Sequence, residues 1–198
     1  MDPAAALEVA LGDEIARVDV GSLNGRVFLN TSAVGAYAAY VRTRERWAPR
    51  LGYYGGSLAA AAGTFARLGS LALALEVGGQ VRRYRTPLVF VGVGERALHP
   101  PGLGARSEGG RRNLHVLVIH QTPRLRLLGM AVRTLLRGIR PWAGAGEVEE
   151  FLVDGCTVTL PLAAGWVAVD GELLPARGPL LYRYRRDALL LRVPGPPA

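Results

Sequence analysis

Two carboxylates two positions apart, Asp170 and Glu172, flank Gly171 in the segment Val167-Ala168-Val169-Asp170-Gly171-Glu172-Leu173. Carboxylates so placed can act as a proton acceptor and its orienting partner, one taking a proton from a hydroxyl while the other fixes the first. Asp-Gly between alternating apolar runs is also the strongest short-range signal for a two-residue hairpin turn, since both central residues need positive φ. Spacing alone favours a plain turn over a site, and further context is needed to shift that balance.

Other reactive residue types are sparse. Cys156 is the single cysteine, which excludes an internal disulfide framework and a thiolate zinc site unless other ligands join it. It is expected in a strand or the core. His99, His115 and His120 have no spacing that puts two of them on one helix face, so no metal site is read from them. Gly92-Val93-Gly94-Glu95-Arg96-Ala97 follows an apolar run, as phosphate-cradling loops do. His99-Pro100-Pro101 then blocks the helix whose N-terminus would hold the phosphate, so the segment is expected to be a loop.

The elements that must position these residues are marked by turns. Asn24-Gly25, Gly78-Gly79, Gly109-Gly110, Asp154-Gly155 and Asp170-Gly171 each lie between apolar or alternating runs, which predicts a series of antiparallel hairpins. The expected fold is mainly β, an antiparallel β-sandwich-like domain with a few peripheral helices. Asp2 can cap a short helix that has Pro3 at its first position and stops at Gly12. Further helices are expected over Ala36 to Arg46, Leu58 to Leu68 and Arg124 to Leu136. In the last, Leu125, Leu128, Val132, Leu135 and Leu136 repeat at helical spacing beside Arg126, Arg133 and Arg137. It reads as a helix packed on the sandwich with a solvated Arg edge, or as a basic surface helix suited to anionic membranes.

Taken in order, several segments resemble the C-terminal domain of the diacylglycerol-kinase-like lipid kinases, relatives of the sphingosine and ceramide kinases. Asp2 to Val9 is similar to the helix after the family's nucleotide-binding domain, and Arg17-Val18-Asp19-Val20-Gly21 to the strand that follows. Asn24-Gly25-Arg26-Val27-Phe28-Leu29-Asn30 with Ser32-Ala33-Val34-Gly35 resembles "NGRYFLN-x-x-S-x-G". Thr86-Pro87-Leu88-Val89-Phe90-Val91-Gly92 is similar to the next strand. Asp170-Gly171-Glu172, Pro179-Leu180 and Leu191-Arg192-Val193-Pro194 resemble the closing "DGE", "P-L" and "L-x-V-P" segments.

The resemblance implies transfer of the ATP γ-phosphoryl group to a lipid hydroxyl, such as that of diacylglycerol or a sphingoid base, with Glu172 as base and Asp170 orienting it or aiding magnesium through water. Those roles can be exchanged. ATP and magnesium are the implied cofactors, with magnesium arriving on the nucleotide. Neither "G-G-D-G-T" nor "G-T-x-N-D" of the family's nucleotide-binding half occurs in the sequence. Residues 1–198 are therefore expected to be one domain, the acceptor half, with the nucleotide-binding domain as a separate partner. Two departures favour an alternative, an inactive lipid- or partner-binding module. Val93 stands where the family has Asn, and Ser107 to Leu114 replaces a "D-G-x-L" segment without its Asp.

Composition agrees with a turn-rich globular chain, with 26 glycines, 13 prolines and 49% hydrophobic residues in 198. The net charge is +8 and all 24 basic residues are arginines. A nucleotide, an anionic lipid surface or an acidic partner would suit arginine's forked donors, although a genome rich in G and C also removes lysine. Nucleic acid is not expected, because no recognised binding motif accompanies the charge. No secretory signal pattern opens the chain, and its apolar stretches, Ser57 to Ala62 and Leu68 to Val77, fall short of the roughly 18–20 residues of a spanning helix. A cytoplasmic protein, peripheral to the membrane where it meets lipid and open to oligomer formation, is the expectation.

Overall fold

A computed structural model describes residues 3–66, 69–98, 105–107, 109–121, 123, 129, 146–161 and 165–194. Twelve strands form two six-stranded antiparallel sheets. The first sheet has the order β2(Arg26–Phe28), β1(Ile15–Leu23), β12(Leu180–Arg192), β9(Gly155–Thr159), β4(Leu71–Val77), β5(Gln80–Thr86). The second runs β11(Glu172–Pro175), β10(Trp166–Val169), β3(Thr31–Gly35), β6(Leu88–Val93), β7(Leu114–Ile119), β8(Val148–Val153). The expected sandwich-like architecture is present, with α1(Pro3–Leu11) and α2(Ala36–Ala66) as the helices among the described residues.

Alternation along the strands builds the core. Leu114, Val116 and Val118 of β7 point inward with Val89, Val91 and Val93 of β6, and meet Leu73, Leu75, Val158, Leu180 and Tyr182 of the other sheet. Phe28 packs edge-on against Tyr182 with ring centroids 6.2 Å apart. The Tyr182 hydroxyl lies 3.0 Å from Ser32 Oγ, which itself donates to the Ala168 carbonyl at 2.9 Å. A buried polar link thus ties β12 of one sheet to β3 and β10 of the other. Cys156 is buried in β9, as expected, and burial pushes its thiol up to about 12.

Three of the five turn signals form two-residue hairpins. Asn24 and Gly25, Gly78 and Gly79, and Asp170 and Gly171 all have positive φ, the pairing that matches the right-handed twist of the flanking strands. The other two differ from expectation. Asp154-Gly155 joins β8 of the second sheet to β9 of the first, so the chain crosses between sheets there. Gly109-Gly110 lies inside the long β6–β7 connection rather than at a tight turn.

The helix with Pro3 at its start and Gly12 after its end forms as expected. The expected helices over Ala36 to Arg46 and Leu58 to Leu68 fall in two helical stretches, each longer than expected, that meet at a kink within Ala36–Ala66; residues 67 and 68 lie outside the described residues. Gly52, with φ 70° and ψ 175°, is the non-helical residue at that kink, a conformation that glycine adopts without a Cβ penalty. Arg124 to Leu136 lies outside the described residues, apart from Gly129.

The second sheet is covered on its outer side. Ala38 and Val41 of α2 pack on Ala168 of β10, while Leu98 packs with Leu117 and Val148 over β7 and β8. Gly35 makes the switch from β3 into α2: its φ is +95°, and the Pro87 carbonyl occupies the place where a Cβ would stand. Only glycine fits both demands.

Candidate active site

Strand pairing places Asp170 and Glu172 on the hairpin joining β10 to β11, with Val169 opposite Glu172. The two carboxylates share the turn but are engaged by different segments. Asp170 Oδ1 accepts from the backbone N–H groups of Asn30 at 2.9 Å and Thr31 at 2.8 Å, and Oδ2 from that of Leu29 at 2.7 Å. Its own N–H donates to the Thr31 carbonyl at 2.8 Å. Asp170 therefore clamps the corner between β2 and β3, and its carboxylate is occupied by three charge-assisted hydrogen bonds. Glu172 is paired with Arg26 of β2, and its side chain is 69% exposed. An ion pair this open to water adds little stability and leaves the carboxylate accessible. No hydrogen bond joins Asp170 to Glu172.

Beneath the corner lies Arg96. Its Nη1 donates to Asn30 Oδ1 at 2.8 Å, and its Nη2 to the carbonyls of Asn30 at 2.5 Å and Val93 at 3.0 Å. Burial, with the neighbouring Arg106 charge, lowers the Arg96 pKa, and Asp170 opposes this. The Arg96 backbone N–H donates to His115 Nδ1 at 2.8 Å, so the His115 proton belongs on Nε2, 2.9 Å from Glu150 Oε1. Burial lowers the His115 pKa against the pull of that carboxylate. His115 is thus a core histidine that fixes Arg96. His120 lies near Glu149 in the first sheet's direction, 3.6 Å away, and His99 is outside the described residues.

A second ionic cluster sits where β1 and β12 slip register between Val18 and Val20. Asp19 accepts from Arg112 Nε at 2.9 Å and Nη2 at 2.5 Å, from the Tyr184 hydroxyl, and from the Asp187 N–H at 3.0 Å. The Arg112 hydrogen bonds, with those from Tyr184 and Asp187, hold Asp19 well below the usual carboxylate range despite its burial.

At the end of β10 away from the turn, a cavity of about 360 Å³ opens between α2 and the sheet edge, lined in part by Val34, Ala38, Thr64, Leu71 and Trp166. Three residues of strand lie between its Trp166 wall and Asp170, roughly 13 Å over four steps at the usual rise. Thr64 Oγ1 is buried with no hydrogen-bond partner, a costly state that a ligand's polar group would relieve.

Among the described residues no group of three or more His, Cys, Asp or Glu side chains is arranged to hold a metal. With Asp170 occupied, Glu172 is the open carboxylate of the turn. One carboxylate suffices for magnesium only when phosphates supply further ligands. Gly92 to Leu98 end β6 and contain no helix, with Gly94 at φ +76°; His99-Pro100-Pro101, expected to block a following helix, lies outside the described residues. Sequence reasoning missed Arg26 and Arg96 as partners of this turn. Arg26 lies in the Asn24-Gly25-Arg26 string, whereas nothing in sequence marks Arg96.

No family model matches the chain, and no curated protein sequence matches it significantly. Among solved structures, the chain is similar to three from Bacillus anthracis str. Sterne, one described as a diacylglycerol kinase and two provisionally so. The first two share 19% identity with this chain, with TM-scores of 0.62 and 0.61, and cover 96% of it. The third shares 17% identity at a TM-score of 0.61. The fold is thus diacylglycerol-kinase-like. The chain spans only 60–61% of the length of those structures. Among the described residues, no helix is long and apolar enough to cross a membrane.

Proposed function

We propose that this chain is the acceptor half of an ATP-dependent lipid kinase, moving a phosphoryl group to a lipid alcohol such as diacylglycerol or a sphingoid base. One observation carries the reading: β10 joins an exposed carboxylate at one end to a cavity under α2 at the other, where apolar side chains are joined by Arg42, Thr43 and Thr64. A lipid with its chain in that cavity would pass around α2, which covers Ala168 midway along β10, to bring its hydroxyl toward Glu172.

In this reading Glu172 accepts the hydroxyl proton as the oxygen approaches phosphorus. Phosphoryl transfer asks the protein mainly for position and charge stabilisation, so one placed base is enough on this side. Arg26, paired with the Glu172 carboxylate, orients it. Asp170 holds the turn rigid by its three backbone hydrogen bonds, a positioning role in place of orienting Glu172 directly. ATP would come with magnesium on a separate nucleotide-binding domain, docked at the turn end of the sandwich, and the lipid would be met at a membrane surface by a cytoplasmic, peripheral protein.

An inactive binding module is the second reading. It is favoured by Val93, which is fully buried in the core and so offers no polar group at the mouth of the β6–β7 connection. The two are separated by joining this chain to the part of a Bacillus anthracis neighbour outside the matched region and following labelled phosphate from ATP into lipid alcohols in detergent micelles. Transfer supports the kinase half. A folded, ATP-binding fusion that transfers nothing supports the module.

A further inference from the structure

We propose that the cavity between the β6–β7 connection and the Asp19 cluster binds a phosphate monoester, with Arg106 as the residue that engages it. The cavity measures about 140 Å³ and is lined by Asp19, Glu95, Arg106, Arg111, Arg112 and Tyr184, with Gly94, Ser107 and Gly110. Its charges are not equally satisfied. Arg112 is held by Asp19 and by Asp187. Glu95 Oε2 accepts the Arg111 backbone N–H at 2.8 Å. Among the described residues Arg106 pairs with no carboxylate, and its Nε donates to the Val93 carbonyl at 3.2 Å.

That carbonyl also accepts from Arg96 Nη2 at 3.0 Å. Two guanidiniums therefore converge on one oxygen, and their repulsion contributes to the lowered Arg96 pKa. Asp170 opposes the Arg96 shift, whereas Arg106 is exposed and forms no ion pair among the described residues, with Glu95 and Asp19 on the same cavity wall. The Arg106 side chain passes close over Gly94, where a Cβ would stand 2.5 Å from Arg106 Nε at a residue of φ +76°. With Nε committed to Val93, the two terminal nitrogens of the fork remain to grip two oxygens of one phosphate, the geometry in which arginine exceeds lysine. The Arg111 side chain, also without an ion-pair partner, stands on the same wall.

The site lies at the turn end of the sandwich, since Val93 donates its N–H to the Asn30 carbonyl and Asn30 donates to Asp170. Resting on the kinase reading, the phosphate belongs to a phosphorylated lipid headgroup or to a free or nucleotide-borne phosphoryl group.

The test uses the whole isotopically labelled chain, with no nucleotide and no turnover, so that its failure is separate from failure of the kinase reading. Inorganic phosphate and a short-chain phosphatidic acid below its micelle concentration are titrated at constant ionic strength. Saturable shifts are expected at the Arg106 Nε–H and at the Gly94 and Gly110 amides. Tighter binding of the phosphatidic acid assigns the headgroup as the source, and equal binding assigns the free group. Arg106→Gln should weaken binding by about tenfold or more, a loss of about 1.4 kcal/mol, while the exposed Arg83→Gln on β5 leaves it unchanged. Shifts that do not saturate, or that persist in the folded Arg106→Gln protein, would overturn the proposal.

Discussion

Asp170 and Thr31 are joined in both directions: the Thr31 N–H donates to Asp170 Oδ1 at 2.8 Å, and the Asp170 N–H donates to the Thr31 carbonyl at 2.8 Å. With the added bonds from Leu29 and Asn30, this residue stitches two parts of the chain some 140 positions apart. Asp170→Ala should therefore lower stability by about 2–4 kcal/mol, from lost hydrogen bonds to a charged acceptor and from placing Ala at φ +47°. Asp170→Asn keeps a residue that tolerates this φ but turns an amide donor toward backbone donors, and should cost about 1–2 kcal/mol. Urea unfolding measures both; two variants as stable as the parent would remove Asp170 from its positioning role.

The unpartnered Thr64 hydroxyl gives a prediction of opposite sign. Thr64→Val keeps the shape and deletes the buried polar atom, so the ligand-free protein should gain about 1 kcal/mol. A lipid alcohol that uses this hydroxyl should bind the variant more weakly, read by Trp166 fluorescence in the cavity wall. A variant that is destabilised and binds equally well would mean that the cavity is not a polar-headed lipid site.

Asp19 sets an acid limit on stability. Its folded-state pKa lies below the ordinary 3.8, so below about pH 4 the unfolded chain binds a proton that the folded one refuses. The stabilisation is present above pH 4 and is lost as pH falls toward the depressed folded value. Asp19→Asn should cost about 2–4 kcal/mol at neutral pH and flatten the stability curve between pH 4 and pH 2. An Asp19→Asn curve as steep as the parent's would show that other carboxylates carry the acid limb.

Cys156 is buried, with its thiol pushed up to about 12. A thiol reagent at pH 8 should leave it unmodified until denaturant opens the sandwich, because the thiolate is the reactive form. Rapid labelling of the folded protein would contradict the burial.

Local signals in the sequence were sufficient where a single turn decides structure. Asn24-Gly25, Gly78-Gly79 and Asp170-Gly171 announce positive φ at two successive residues, and each forms the hairpin it announces. Asp154-Gly155 carries the same chemistry but joins different sheets, because the destination of the next strand depends on distant pairing, here Cys156 against Val77 and Tyr182. The carboxylates of the turn were legible as a pair. What engages them was not, since Leu29, Asn30, Thr31 and Arg26 reach the turn through tertiary pairing. Arg96 was hidden for a related reason: a buried guanidinium satisfied by backbone carbonyls leaves no periodic trace in sequence. The break in α2 was equally unreadable in detail, since helix propensity between residues 46 and 58 competes with Pro49 and Gly52, and packing decides.

Glu172, as the base of an acceptor half, is separable from the fold because its side chain is exposed. In the fusion with a nucleotide-binding half, Glu172→Gln should leave stability within about 0.5 kcal/mol and lower kcat for a micellar lipid alcohol by about 10² to 10⁴, the contribution of a positioned base. Parental kcat in that folded variant would contradict the account and leave Asp170-Gly171-Glu172 as a turn.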